Sequence, residues 1–369
     1  MFPQPVPALR ALKAYDPGHD LPALRLKYGD ALVELGSNEN SLGPSEKARA
    51  AMQTALADAW RYPDPNAWAL RRAIAARFDH PLPGVVLGNG SHELLIQLAQ
   101  CHAGPGDEVL FSQYGFAVFP IAAMAVGATP VAAPALAVDD PMPRGHDAIT
   151  LAAHYGPRTR LVYLANPNNP TGTWLSLAAV ESLLARAKGQ ALVVVDEAYQ
   201  EYVTEGGPRS AVSLLPEHPH LVVTRTFSKV HGLAGLRVGY ALCHPQVAAS
   251  LERYRETFNV NHVAQVAALA ALDDEDHVER TRLHNANARE AMRTALQGMG
   301  LHVAPSQGNF VLIDFGRDAA GVEDALMQRA VVVRPMGGYG LPTCLRVTVG
   351  KEDENARFLA AMREVLACG

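Results

Sequence analysis

A chain of 369 residues exceeds what a single hydrophobic core usually serves, so two domains are expected. With 49% hydrophobic and 19% charged residues it is not a disordered chain. A net charge of -5 without any Lys/Arg run gives no electrostatic basis for binding nucleic acid. Four scattered cysteines, Cys101, Cys243, Cys344 and Cys368, form no CxxC pair, which argues against a disulfide framework or metal site and for reduced thiols in the cytoplasm.

Residues 1–45 are rich in Pro, Gly and Asn and read as an extended arm that joins a small domain. Met1–Arg10 carries three prolines and no apolar segment of the signal-peptide kind. From Glu46 the pattern alternates between helix (46–59, 67–78, 92–101) and short apolar runs (108–111, 159–164, 191–195, 221–224). Such runs suit strands buried on both faces of a mainly parallel sheet flanked by helices, which assigns residues 46–258 to a large α/β domain. The longest apolar stretch, 116–138, is broken by Gly127 and several prolines, so no membrane span is expected. Beyond Phe258 the texture changes. A long helical region over 262–299 precedes strands at 310–314, 331–334 and 344–349, a helix near 321–329 and a final helix over 352–367. Residues 259–369 therefore read as a smaller α+β domain.

Ligands of open parallel sheets sit beyond the carboxyl ends of the strands. Four such ends carry unusual polar groups. In Leu87-Gly88-Asn89-Gly90-Ser91-His92-Glu93 a strand turns into a helix, whose first N–H groups suit an anion; an ordinary turn capped by Ser91 fits equally well. Glu93 occupies the last glycine position of GxGxxG, which counts against a dinucleotide site. Asn166-Pro167-Asn168-Asn169-Pro170-Thr171-Gly172 is a rigid turn that either is purely structural or offers Asn169 to a ligand oxygen. Val193-Val194-Val195-Asp196 places a carboxylate at the edge of a dry interior, where it either caps the next segment or pairs with a buried cation. Thr226-Phe227-Ser228-Lys229 with Gly235-Leu236-Arg237 groups hydroxyls, an amine and a guanidinium, a set suited to a phosphate ligand that bears an aldehyde. No histidine pair has metal-ligand spacing.

With these segments in view, the chain resembles the fold-type I aminotransferases that use pyridoxal phosphate, and within them the histidinol-phosphate aminotransferase family. The likeness runs from Ser37-Asn38-Glu39-Asn40 and Arg61-Tyr62-Pro63 to Tyr339-Gly340-Leu341-Pro342 and Leu345-Arg346-Val347-Thr348. It implies that Lys229 carries the cofactor as a Schiff base and then moves the proton. It implies that Asp196 pairs with the pyridinium nitrogen, and that Tyr199 and Asn169 hold the phenolic oxygen. The phosphate falls to Ser91, His92, Thr226, Ser228 and Arg237, and Tyr114 stacks on the ring. Tyr62 reaches the cofactor of a partner subunit, which makes a homodimer the active unit. Arg346, with Asn40, Arg334 and Tyr15, lies on the substrate side. Two departures stand out: His92 where many relatives have an acidic residue, and Thr257 where proline is expected.

The resemblance implies ping-pong transamination from histidinol phosphate to 2-oxoglutarate in the cytoplasm. The alternatives are an aromatic amino-acid aminotransferase and, with less support, a pyridoxal-phosphate decarboxylase of phosphorylated amino acids.

Overall fold

The computed structural model describes residues 4–5, 7–10, 12 and 18–368. Among the described residues the strands are, in chain order, β1 (Val33–Glu34), β2 (Val85–Gly88), β3 (Glu108–Ser112), β4 (Thr129–Ala133), β5 (Thr159–Ala165), β6 (Leu192–Asp196), β7 (Leu221–Thr226), β8 (Gly239–Cys243), β9 (His302–Val303), β10 (Phe310–Asp314), β11 (Val331–Val332), β12 (Arg334–Pro335) and β13 (Cys344–Thr348). Seven form one sheet in the order β2-β8-β7-β6-β5-β3-β4. Its members run parallel except β8, which is antiparallel to both neighbours.

The apolar runs are continuous because both faces of this sheet are covered. Leu110, Val162, Leu164, Val193 and Val195 enter one core with the helices Trp68–Arg77 and Leu177–Ala187. The alternate residues Val109, Phe111, Leu161, Tyr163 and Val194 enter a second core with the helices Ser91–His102 and Val118–Ala125. That period of two is the pleat of a strand with both faces buried.

A third core lies around the four-stranded antiparallel sheet β12-β13-β10-β9. Val33 and Leu35 of the N-terminal arm belong to it, because β1 pairs in parallel with β11, Val33 opposite Val331.

Two elements differ from the sequence reading. The region expected as one helical stretch over 262–299 is two helices, His262–Leu272 and Glu275–Gly298, with Asp274 accepting from His277 N at 3.3 Å as the cap of the second. The first of them, though beyond residue 258, buries Ala264, Ala267, Ala268 and Ala271 in the first core of the seven-stranded sheet. We therefore draw the boundary between the cores in the turn after Leu272. The expected strand 331–334 is likewise divided, with β11 pairing to β1 and β12 to β13.

Among the described residues, no helix is long and apolar enough to cross a membrane, and no group of three or more His, Cys, Asp or Glu side chains could hold a metal ion.

Candidate active site

Sheet register gathers the polar strand ends on one edge. Ala165 pairs with Asp196 and Asp196 with Thr224; Thr226 pairs with Gly239 and Gly239 with Gly88. The carboxyl ends of β2, β5, β6 and β7 thus meet the start of β8, and a cavity of about 260 Å³ opens above them.

One end of the cavity is built for an anion. The helix Ser91–His102 starts at Gly90, whose φ of +81° and lack of a side chain are both required: a Cβ there would lie 2.5 Å from Arg237 Nη2. A Cβ on Gly239 would lie 2.5 Å from Ser91 N, so this glycine lets the turn rest on β8. Arg237 Nη1 donates to Ser228 Oγ at 3.1 Å and to Ala234 O at 3.0 Å, and Nη2 donates to Asn89 O at 3.4 Å. Thr226 Oγ1 donates to Ser228 Oγ at 3.0 Å. Ser91, His92, Thr226, Ser228 and Arg237 all line this end. A guanidinium, hydroxyls and the start of a helix converge there, the donor set that an oxyanion takes. The His92 ring meets Phe116 edge-on at 6.4 Å, and burial, with Arg237 adding to it, lowers its pKa.

The middle of the cavity joins an acid to an amine. Asp196 is buried at the end of β6 and accepts from Thr224 Oγ1 at 2.9 Å. Burial pushes its carboxyl up to about 7. Its neighbour Glu197 points the other way, where Arg225 Nη2 donates to it at 2.7 Å. Arg225 is therefore already matched, and Asp196 is left needing a cation from a ligand. Lys229, in the turn after β7, donates from Nζ to Ser37 O at 3.3 Å and Asn38 O at 3.2 Å. Burial first, and then Arg346, push its amine down to about 8.

Asn38 ties the N-terminal arm into the site. Its Nδ2 donates to Tyr199 Oη at 2.9 Å, and its N donates to Thr348 Oγ1 at 2.9 Å.

At the far end, two arginines meet in register, Arg334 on β12 opposite Arg346 on β13, and both line the cavity. Arg346 Nη1 donates to Asn169 Oδ1 at 2.5 Å and Nη2 to Gly36 O at 2.9 Å. Its Nε is buried without a hydrogen-bond partner. Arg346 is only 7% exposed.

The structure does not bring every expected residue to the cavity. Tyr114 is absent from its wall, since its ring packs against the cluster of Ala304, Leu312, Met336, Leu341 and Cys344; Phe116, two residues on, lines the cavity instead. Asn40 turns away and donates to Val230 O at 2.8 Å, behind the Lys229 turn, while Asn38 and Glu39 line the cavity. Tyr62 is 82% exposed and stacks on Phe258 with ring centroids 4.6 Å apart, outside the cavity of its own chain. Tyr15 lies outside the described residues.

Residues 30–362 match the family model for aminotransferase class I and II. The chain is similar to histidinol-phosphate aminotransferase 2 of Pseudomonas aeruginosa, 44% identical over 364 residues, covering 98% of this chain and 97% of the relative. It is also similar to histidinol-phosphate aminotransferase 1 of Nitrosococcus oceani, 43% identical over 359 residues, covering 97% and 95%. Among solved structures, the histidinol-phosphate aminotransferase from Sinorhizobium meliloti in complex with pyridoxal-5'-phosphate superposes with a TM-score of 0.88 at 31% identity, over 100% of this chain and 99% of that one. Aspartate aminotransferase from Thermus thermophilus with maleate, at 23% identity and a TM-score of 0.85 over 99% and 100% of the chains, shares the fold.

Proposed function

The chain belongs to the class I and II aminotransferases, and we propose that it transfers the amino group of L-histidinol phosphate to 2-oxoglutarate in histidine biosynthesis. The observation that carries the choice of substrate is the identity of 44% and 43% to histidinol-phosphate aminotransferases along nearly the whole chain. The paired arginines agree with it. A guanidinium fork accepts the phosphate of one substrate and the carboxylate of the other, as a ping-pong enzyme with one pocket requires.

The residues present fit pyridoxal phosphate. Asp196 needs a buried cation, and Gly90, where a Cβ would lie 2.5 Å from Arg237 Nη2, leaves open the cradle of donors. The bound cofactor supplies an aldehyde for the amino group and a ring that draws electrons from the substrate's Cα.

Ser91, His92, Thr226, Ser228 and Arg237 would hold the phosphate. Asp196 would keep the ring nitrogen protonated, and Tyr199 and Asn169 would flank the phenolic oxygen. Phe116, which lines the cavity, would face the cofactor ring, with Tyr114 close behind in the same loop. Lys229 Nζ would take the proton from the substrate's Cα and carry it during the transfer; that needs a neutral amine, which its lowered pKa favours. Arg346, with Arg334 beside it, receives the substrate's anionic group. Asn40, bonded to Val230 O, would steady the Lys229 turn from behind. Tyr62, exposed in one chain, would serve the site of a second copy in a cytoplasmic homodimer.

The depressed amine makes a pH prediction. Below about 8 the protonated fraction of Lys229 grows, so the rate at which apoprotein captures pyridoxal phosphate should fall about tenfold per pH unit and level off above 8. A rate that climbs on past pH 10 would show an ordinary lysine.

Replacing Arg346 with Ala removes a charged fork from a buried site. The loss of transition-state binding is about 2–5 kcal/mol, and kcat/KM should drop for histidinol phosphate and glutamate alike. Lys at that position should not restore it, because the fork is lost.

The donor assignment is tested by comparing kcat/KM for L-histidinol phosphate with that for L-phenylalanine and L-tyrosine. A preference for the aromatic donors would keep the enzyme class and move the substrate. Release of carbon dioxide with no keto-acid requirement would make it a decarboxylase.

A further inference from the structure

Glu93 replaces the final glycine of a dinucleotide turn, and its carboxylate is not part of the cavity wall. It is nonetheless heavily engaged. Oε2 accepts from Asn89 N at 2.7 Å and from Asn259 Nδ2 at 3.1 Å, while Oε1 accepts from Asn89 Nδ2 at 3.1 Å. Asn259 Nδ2 also donates to Leu87 O at 3.2 Å. One carboxylate, with one amide beside it, therefore fastens the turn 87–91 on both sides of Gly88.

The local sequence explains the need. The helix begins at Gly90, which has no side chain to cap it, so the third helical residue reaches back across the turn, as the glutamate of a capping box does. Gly88 makes room for it, since a Cβ there would lie 3.0 Å from Glu93 Oε2. Asn259 in turn follows Phe258, the ring on which Tyr62 stacks. The turn is thus keyed to the outward-facing aromatic pair as well as to its own helix.

We propose that Glu93 is a positioning residue for the anion-binding turn, holding Asn89 and Gly90 so that the helix start and Arg237 converge on one anion. This rests on reading that turn as the cofactor-phosphate site.

Charge and geometry predict opposite outcomes. The carboxylate is a negative charge near a site for an anion, so if it merely caps the helix its removal should leave phosphate affinity unchanged or raise it. If it positions the turn, its removal should weaken binding.

The measurement is a titration of apoprotein with pyridoxal phosphate, followed by absorbance and fluorescence, together with a thermal melt. Glu93→Ala is expected to raise Kd at least about tenfold, equivalent to about 1.4 kcal/mol. Glu93→Gln, whose amide oxygen still accepts from Asn89 N and Asn259, should stay within about threefold of wild type. With saturating cofactor, kcat of Glu93→Ala should remain close to wild type. If Glu93→Ala does not fold, Asn259→Ala removes the second fastening alone and should raise Kd in the same direction. An unchanged or tighter Kd in the folded variant overturns the proposal, even if the melting temperature falls. Wild-type protein that fails to bind pyridoxal phosphate would overturn the phosphate-site reading along with it.

Discussion

Lys229→Ala is expected to abolish turnover, by at least about 10⁴-fold, while leaving a folded protein that still takes up pyridoxal phosphate. The separation follows from what Nζ does. Its hydrogen bonds go to two backbone carbonyls of the arm, Ser37 and Asn38, at 3.3 and 3.2 Å, and among the described residues it holds no ion pair. Burial already disfavours its charged form, so truncation removes a strained cation rather than a support. The proposed phosphate end of the site, with Ser91, Ser228 and Arg237, is untouched. Kinetics, a thermal melt and a cofactor titration on the same preparation check all three statements. Residual turnover near wild type would remove Lys229 from the mechanism.

Asp196→Asn should act in opposite directions on activity and stability. In the proposed holoenzyme the buried carboxylate would pair with the protonated ring nitrogen, and breaking such a pair costs about 3–5 kcal/mol, so kcat should fall by about 10² to 10⁴. In the apoprotein the same carboxylate is a burden. Its pKa, pushed up to about 7, lies above the ordinary value of 3.8. The native state therefore holds its proton more tightly than the unfolded chain does. The burden is full above pH 7 and fades as pH falls toward 3.8. The Asn variant, which has no such charge, should melt higher than wild-type apoprotein at pH 8, with the gap closing at pH 4. A variant that is less stable at pH 8 would mean that Asp196 already has its cation within the protein.

The parts of this site legible in the sequence are those where a local pattern changes abruptly. Asp196 ends four apolar residues, and Lys229 and Arg237 sit between hydroxyls and glycines after another buried strand. Each break follows from burial of both sheet faces, which a single run of residues reveals. The residues that escaped are set by contacts distant in sequence. Phe116 and Tyr114 are both aromatic residues of one loop, and which of them faces the cavity depends on the Met336–Leu341 cluster that takes up Tyr114. Asn38 reaches Tyr199 because β1 pairs with β11, a register that no local pattern carries. The opposition of Arg334 and Arg346 likewise exists only once β12 meets β13.

The break at Asp273–Asp274 was readable in principle. An aspartate followed by Glu275 and Asp276 is a helix start, but the surrounding periodicity masked it.

The central claim is tested most directly by following the visible absorption band of the protein reconstituted with pyridoxal phosphate. Adding L-histidinol phosphate should bleach it, and 2-oxoglutarate should then restore it, with no other component present. A band that stays unchanged with histidinol phosphate, or that bleaches and does not return with 2-oxoglutarate, would contradict the proposed transamination.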